Sequence, residues 1–258
     1  NVGKRKSAAA VFTKNRMTAA PVIWSKQVIA DGRIDAIIIN SGGANACTGP
    51  EGFADTHKSA EHVAKVLGIS ASDVAVCSTG LIGERLPLEK ILGGINDAAN
   101  ELAPGNWVAA AEAIMTTDSH SKIAFHEIHG VRFVGIAKGA GMLAPALATM
   151  ISVLATDADV SSEDLQAALE EATSLTYDRL DSDGCTSTND SVIALASGES
   201  ASLTYAELVE GLTAICRNLA DQLIGDAEGH TKIIAITTIN AQSIEDALDI
   251  SRSCARNN

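Results

Sequence analysis

Short apolar runs alternate with longer stretches of helical periodicity along the chain. The runs are rich in Ile and Val and are bounded by Gly, Asn, Asp or Ser, a pattern that is typical of β-strands. They predict strands at Ile34–Ile39, Val74–Cys77, Lys122–Phe125, Val131–Ile136, Met150–Leu154, Val192–Ala196 and Ile233–Thr238. Apolar residues three or four positions apart predict helices at about residues 54–67, 88–102 and 107–115.

Two further helices are indicated by their capping residues. Ser161 is followed three residues later by Asp164, and Ser243 by Asp246, a spacing that lets the serine side chain accept from free N–H groups of the first turn. The strands between 122 and 136 follow each other too closely for helical crossovers, which predicts a hairpin. The chain is therefore predicted to be an α/β protein whose mixed β-sheets are sandwiched by helices.

Composition narrows the function classes. The chain has 258 residues and a net charge of −13, which argues against nucleic-acid partners because phosphate contacts need clustered Lys and Arg. No apolar run approaches the roughly 20 residues of a membrane span. Five cysteines without a C-x-x-C pair argue against a disulfide framework or a zinc site and favour a reducing, cytoplasmic location. Both termini look cut, so we expect a fragment of a longer protein.

Four segments dense in Gly, Ser, Thr and Asn are candidate ligand-binding loops, and two of them follow predicted strands, where α/β proteins place ligands. They are Asn40–Gly49, Cys77–Gly83, Lys138–Met142 and Asp181–Asp190. Ordinary turns are the alternative interpretation of each. The sequence lacks the G-x-x-x-x-G-K-[ST], H-E-x-x-H and G-x-S-x-G patterns, which argues against phosphate-loop, zinc-protease and serine-hydrolase chemistry.

Thr149 ends a loop that contains Gly and Pro, and it begins a run of apolar residues. On its position alone it is an ordinary strand-starting threonine. The functional alternative is an N-terminal nucleophile, because a threonine hydroxyl needs a base and the α-amino group of the same residue can be that base. This amine exists only after the bond between Ala148 and Thr149 is broken. Its ordinary pKa, about 7.7–8.0, leaves part of it neutral near pH 7.

Six blocks of the sequence together resemble the ornithine acetyltransferases, also called bifunctional glutamate N-acetyltransferases, of arginine biosynthesis. In chain order they are NSGGANACTG, CSTGLIGERLP, IMTTD, KGAGMLAPALATM, STND and DAEGHTK, and the match covers essentially the whole chain. The resemblance implies a self-processing fold of the N-terminal-nucleophile type, with an α chain over 1–148 and a β chain over 149–258. It also implies further substrate-binding residues beyond the position of Asn258.

Roles for individual residues follow from the same resemblance. Thr149 would be the nucleophile of both self-cleavage, at Ala148–Thr149, and turnover, while Thr79 and Gly80 would form the oxyanion hole. The implied substrate-binding residues are Thr116, Lys138, Thr149 and Glu228. Lys138 can neutralise an α-carboxylate and Glu228 can accept the side-chain ammonium of ornithine. Without the resemblance, both would be interpreted as solvated surface charges.

The implied reaction moves the acetyl group of N-acetylornithine to glutamate through an acetyl-threonine ester. It needs no metal and no bound cofactor, and acetyl-CoA would be a second donor in bifunctional members. The resemblance implies an assembly of two α and two β chains. Two alternatives remain open: a self-cleaving aminopeptidase that passes the acyl group to water, and a non-catalytic domain that binds amino acids.

Overall fold

The computed structural model describes residues 6–143 and 150–257. They form four layers, in the order helices, five-stranded sheet, two-stranded sheet, helices. This confirms the prediction of an α/β fold with mixed sheets sandwiched by helices. None of the helices in the described ranges combines the length and apolarity that a membrane span requires.

The larger sheet is mixed. Its strands, in spatial order, are β1 (Ser7–Phe12), β7 (Ser191–Ala196), β6 (Ile151–Thr156), β5 (Val131–Lys138) and β4 (Lys122–Ile128). Strands β6 and β7 are parallel, and every other neighbouring pair is antiparallel. The β4–β5 pair is the hairpin that the close spacing of its strands predicts.

The smaller sheet pairs β2 (Ala36–Gly43) with β3 (Val74–Leu81) in parallel, and α2 (Gly49–Leu67) connects them. Both of its faces are buried. Ala75 and Cys77 pack with Ile193 of the larger sheet, whereas Val74 and Val76 pack against the outer helices. Burial on both faces explains why these strands are continuous apolar runs rather than alternating patterns.

Helices cover the outer face of each sheet. The remaining helices are α1 (Ala20–Val28), α3 (Leu88–Asn100), α4 (Trp107–Ala113), α5 (Ser162–Ser174), α6 (Tyr205–Ile224) and α7 (Ile244–Ala255). Helices α5 and α6 share one apolar cluster with the larger sheet, and α2 and α3 share another with the smaller sheet. Ser161 and Ser243 cap α5 and α7, each accepting from the backbone N–H three residues on, as predicted.

Three sequence-based predictions differ from the structure. The strand predicted at Ile233–Thr238 is wrong: this run belongs to neither sheet, no strand within residues 6–143 and 150–257 pairs with its backbone, and Ile233, Ile234 and Ile236 are exposed. The Gly-rich segments that begin at Asn40 and Cys77 are not loops throughout, because β2 continues to Gly43 and β3 to Leu81. Strand β1 and helices α1 and α6 are absent from the predicted elements.

Candidate active site

The ends of β2 and β3 form one wall of a cavity. Gly43 pairs with both Thr79 and Leu81, which makes a bulge where the two strands end. Gly80 adopts φ +126°, and a Cβ at this position would lie 2.3 Å from the carbonyl carbon of Gly42. Only glycine fits here, so the bulge brings the backbone around Gly80 to the cavity without a side chain in the way.

Asn189, in the last Gly- and Ser-rich segment, stabilises this wall by hydrogen bonds to its backbone. Its side-chain amide donates to the carbonyl oxygens of Ser78, at 2.8 Å, and of Ala44. The Ser78 hydroxyl in turn donates to Oδ1 of Asn40 at 2.6 Å. Because these groups are buried and hydrogen-bonded, the peptide that precedes Thr79 has a defined position.

Lys138 ends β5 and reaches the same cavity. Its side chain is only 2% exposed, and Nζ donates to Oγ1 of Thr79 at 3.1 Å and to Oγ1 of Thr116 at 2.8 Å. Burial lowers the pKa of Lys138 below its ordinary value, and the charge of Asp118 opposes this effect most strongly. The two threonine hydroxyls and the Lys138 ammonium thus form one polar cluster.

Asp118 lies behind this cluster and is buried. Its Oδ1 accepts from the backbone N–H of Gly139 at 2.6 Å and from Nζ of Lys122 at 2.7 Å, and its Oδ2 accepts from the backbone N–H of Thr116 at 3.1 Å. Burial alone would raise the pKa of Asp118, but these hydrogen bonds and the charge of Lys138 hold it below its ordinary value. Asp118 is therefore an anion at neutral pH.

Glu228 approaches the cavity from the other side. Its backbone N–H donates to the carbonyl oxygen of Ala140 at 2.6 Å, and a Cβ on Gly141 would lie 3.3 Å from its carboxylate oxygen Oε2. The carboxylate therefore faces the glycine-rich segment that follows Lys138. Unlike Lys138, the Glu228 residue is exposed.

The cavity has a volume of about 590 Å³, within the usual range for small-molecule sites. It is lined by Ser41, Gly42, Thr79, Gly80, Leu81, Met115, Thr116, Thr117, Lys138, Ala140, Gly141, Met142 and Glu228. Five of the sequence-predicted site residues, drawn from four blocks far apart in the chain, thus meet around one space. No group of three or more His, Cys, Asp or Glu in the described ranges could hold a metal ion.

Ala148 and Thr149 lie outside the described residues. The next residue, Met150, is buried, and its backbone N–H donates to Oδ1 of Asp190 at 2.9 Å. Ile151, the first residue of β6, pairs with Lys138 across the β5–β6 ladder. The chain immediately after Thr149 is therefore anchored beside a residue that lines the cavity.

The sequence-based prediction missed several buried polar residues that support the site. Asp118 and Asn189 lie inside the recognised blocks IMTTD and STND, so these blocks pointed to them without indicating their contacts. Lys122 gave no signal, because a lysine at the start of an apolar strand is normally exposed. Here its side chain is fully buried between Asp118 and Asp226.

Comparisons with known proteins all find relatives from one family. The ArgJ family model matches residues 2–258. The arginine biosynthesis bifunctional proteins ArgJ of Thermobifida fusca and Streptomyces coelicolor are 55% and 52% identical to this chain over its whole length, which spans 67% and 68% of theirs. The crystal structure of ornithine acetyltransferase complexed with ornithine, from Mycobacterium tuberculosis, is 48% identical, with a TM-score of 0.50 over 57% of this chain and 81% of that chain. The chain belongs to the ArgJ family.

Proposed function

We propose that the protein is an ornithine acetyltransferase of arginine biosynthesis that moves the acetyl group of N-acetylornithine to glutamate, with Thr149 as the nucleophile. The observation that carries the proposal is the single cavity in which the structure collects the other predicted site residues. These residues are Thr79, Gly80, Thr116, Lys138 and Glu228.

The charges around the cavity suit an amino acid with a cationic side chain. Lys138 supplies a buried cation for an α-carboxylate, and Glu228 supplies a carboxylate for the ammonium group of ornithine. A charge-assisted hydrogen bond of this kind contributes about 1.5–3 kcal/mol. Glutamate, as the acceptor, would place its own α-carboxylate on Lys138.

The hydrogen bonds of Lys138 leave the Thr79 hydroxyl able to stabilise an oxyanion. An ammonium group only donates, so Oγ1 of Thr79 accepts from Lys138 and its own proton is free to donate elsewhere. Together with the backbone N–H of Gly80, this hydroxyl would donate to the oxygen that becomes negative in acyl transfer. One such donor typically contributes about 2.7–4 kcal/mol to transition-state stabilisation.

Self-cleavage between Ala148 and Thr149 would generate the base. The proposed α chain contributes β1, β4 and β5 to the larger sheet, and the proposed β chain contributes β6 and β7, so the two products would remain paired.

The proposed turnover has two steps. Thr149 Oγ attacks the acetyl carbonyl of N-acetylornithine while its proton passes to the Thr149 amine. The C–N bond then breaks, and ornithine leaves with that proton. The amine of glutamate next attacks the acetyl-threonine ester, and the Thr149 oxygen leaves and recovers a proton. Acetyl-CoA would enter at the first step as an alternative donor, and we propose that two α and two β chains form the working assembly.

The nucleophile is tested by comparing the native chain with Thr149→Ala and Thr149→Ser. Intact-mass measurement should find native chains cut before Thr149, Thr149→Ala uncut and Thr149→Ser partly cut, because serine keeps the hydroxyl. Formation of N-acetylglutamate from N-acetylornithine and glutamate should follow the same order. An uncut but fully active Thr149→Ala protein would refute the proposal.

The same measurements separate the two alternatives. An aminopeptidase would release amines from peptides without any amino-acid acceptor. A non-catalytic binding domain would bind ornithine while the bond between Ala148 and Thr149 stays intact and no acetyl group is transferred. Either result would replace the transferase proposal.

A further inference from the structure

Asp118 is buried and lies where three site-forming segments meet, yet it does not line the cavity. It accepts hydrogen bonds from the backbone N–H of Thr116 and from that of Gly139, the residue after Lys138, and the side chains of Thr116 and Lys138 meet at the cavity. Its Oδ2 also lies 3.9 Å from Nζ of Lys138. The Asp118 carboxylate thus binds the backbone of the segments that carry the polar cluster and also lies close to the Lys138 ammonium group.

We propose that Asp118 is a positioning residue that keeps Lys138 a cation and aims it, together with the Thr116 hydroxyl, at the carboxylate of the amino-acid substrate. This inference rests on the proposed function for the identity of the ligand. The electrostatic interaction between Asp118 and Lys138, on which the inference depends, is present in this chain with or without a ligand.

Lys138 needs such a partner because it is buried. Taking an ammonium group out of water favours its neutral form, and a neutral amine cannot pair with a carboxylate. The charged groups that face it are Asp118, Lys122, Asp190 and Glu228. Identifying the group that keeps Lys138 charged therefore requires comparing these four.

Three of the four are poorly suited to the task. Lys122 has the same sign as Lys138, and its charge is balanced between Asp118 and Asp226. Burial raises the pKa of Asp190 well above its ordinary value, which favours its neutral form. Glu228 is exposed, so water and salt screen it. Asp118 is the remaining anion, and its geometry is fixed by backbone hydrogen bonds.

Lys122 extends this arrangement across the site. Its Nζ donates to Asp118 at 2.7 Å and to Asp226 at 2.6 Å, and Asp226 lies two residues before Glu228. The buried lysine therefore ties the segment that carries Glu228 to the carboxylate that faces Lys138. Asp226 contacts Lys122 but has no ion pair with Lys138 among the described residues, which makes it a useful comparison.

The direct test is a pH titration of Lys138 that is monitored by NMR on protein labelled with ¹⁵N in its lysine side chains. A Lys138→Met variant identifies the Lys138 signal. Asp118→Asn removes the charge and keeps a similar shape. We expect its Lys138 midpoint to fall by about one pH unit or more, since the two groups lie close together in a poorly solvated site. Asp226→Asn should shift the midpoint much less. Asp157→Asn, which removes the ion-pair partner of Arg132 at the end of β5 far from Lys138, should not shift it. An unchanged midpoint in Asp118→Asn would overturn the inference.

A reciprocal measurement covers the case in which Asp118→Asn does not fold. If the two charges are coupled, neutralising Lys138 must raise the pKa of Asp118 by the same interaction. The ¹³C carboxyl titration of Asp118 in native protein and in Lys138→Met measures this. A higher midpoint in the variant supports the coupling, and identical midpoints would overturn it.

Ornithine binding, measured by calorimetry across pH, separates this inference from the proposed function. We expect Asp118→Asn to bind ornithine about tenfold more weakly or worse. As the pH is raised, the variant should also lose its affinity for ornithine at a lower pH than the native protein does, because its Lys138 loses its charge earlier. A native protein that binds no ornithine would refute the proposed function, while the Lys138 titration would still decide the coupling. A shifted Lys138 midpoint with native-like ornithine affinity at every pH would overturn the substrate-positioning role.

Discussion

Gly80 offers a direct test of the cavity wall at which we propose the oxyanion hole. Its φ of +126° lies in a region that side chains rarely adopt, and an added Cβ would sit 2.3 Å from the carbonyl carbon and 2.5 Å from the carbonyl oxygen of Gly42. These contacts are to backbone atoms, which no change of side-chain rotamer can relieve. Gly80→Ala should therefore force β2 and β3 apart at their ends.

The expected loss of unfolding free energy in Gly80→Ala has two parts. The unfavourable backbone conformation costs about 1–3 kcal/mol, and the displaced backbone adds about 1–3 kcal/mol as overpacking. Gly42→Ala is a matched control, because Gly42 has φ +111° and an added Cβ there would meet nothing within 4 Å. The control should therefore show the conformational cost alone, so the difference between the variants isolates the steric contact.

Urea unfolding followed by circular dichroism gives the free energy of unfolding of both variants. We expect Gly80→Ala to lose about 1–3 kcal/mol more than Gly42→Ala, and to form N-acetylglutamate more slowly because the donor at position 80 is displaced. Equal losses in the two variants would contradict the steric argument. Full activity in a stable Gly80→Ala protein would contradict the placement of the oxyanion hole.

Three further variants test individual charges. Lys122→Met leaves the buried carboxylates of Asp118 and Asp226 without their shared cation, so it should cost about 3–5 kcal/mol of unfolding free energy; a loss below about 1 kcal/mol would contradict this. Because burial raises the pKa of Asp190, the native protein should lose stability as pH rises from the unfolded-state pKa, about 3.9, toward the folded-state value. Asp190→Asn should therefore be more stable than the native protein at pH 7 but not at pH 3, and urea unfolding at both values that shows no relative gain at pH 7 would count against it. Glu228→Gln should weaken ornithine binding in calorimetry about tenfold, whereas unchanged affinity would refute the ammonium-binding role.

The inner strands of the layered fold were predictable because they are buried on both faces. Runs such as Ile34–Ile39 and Val192–Ala196 contain few polar residues, so they could be recognised without knowing their partners. The run Ile233–Thr238 has the same composition but lies outside both sheets. The pattern of apolar residues indicates that a segment can form a strand. Whether it joins a sheet depends on whether another strand lies beside it.

The candidate site was predictable only as far as motifs reach. Thr79, Lys138 and Glu228 were identified from their blocks, and the structure places all three around one cavity. Their buried support was not predictable, since a lysine at the start of a strand, such as Lys122, is normally exposed, and the block that ends at Asp118 does not indicate which groups this residue contacts. Hydrogen bonds between segments more than a hundred residues apart, such as Lys122 to Asp226, leave no local pattern in a sequence.

The position of the proposed cut has a structural consequence for catalysis. Breaking the chain before Thr149 would free its amine, but it would also remove one of the two covalent attachments of that residue. The remaining attachment leads at once into β6, whose first residue pairs with Lys138 and whose flanking Met150 is held by Asp190. Separating the chains would break the β5–β6 and β1–β7 ladders and expose the apolar cluster between sheet and helices. The fold therefore lets the backbone be cut at the proposed nucleophile while the next residues stay fixed beside the cavity.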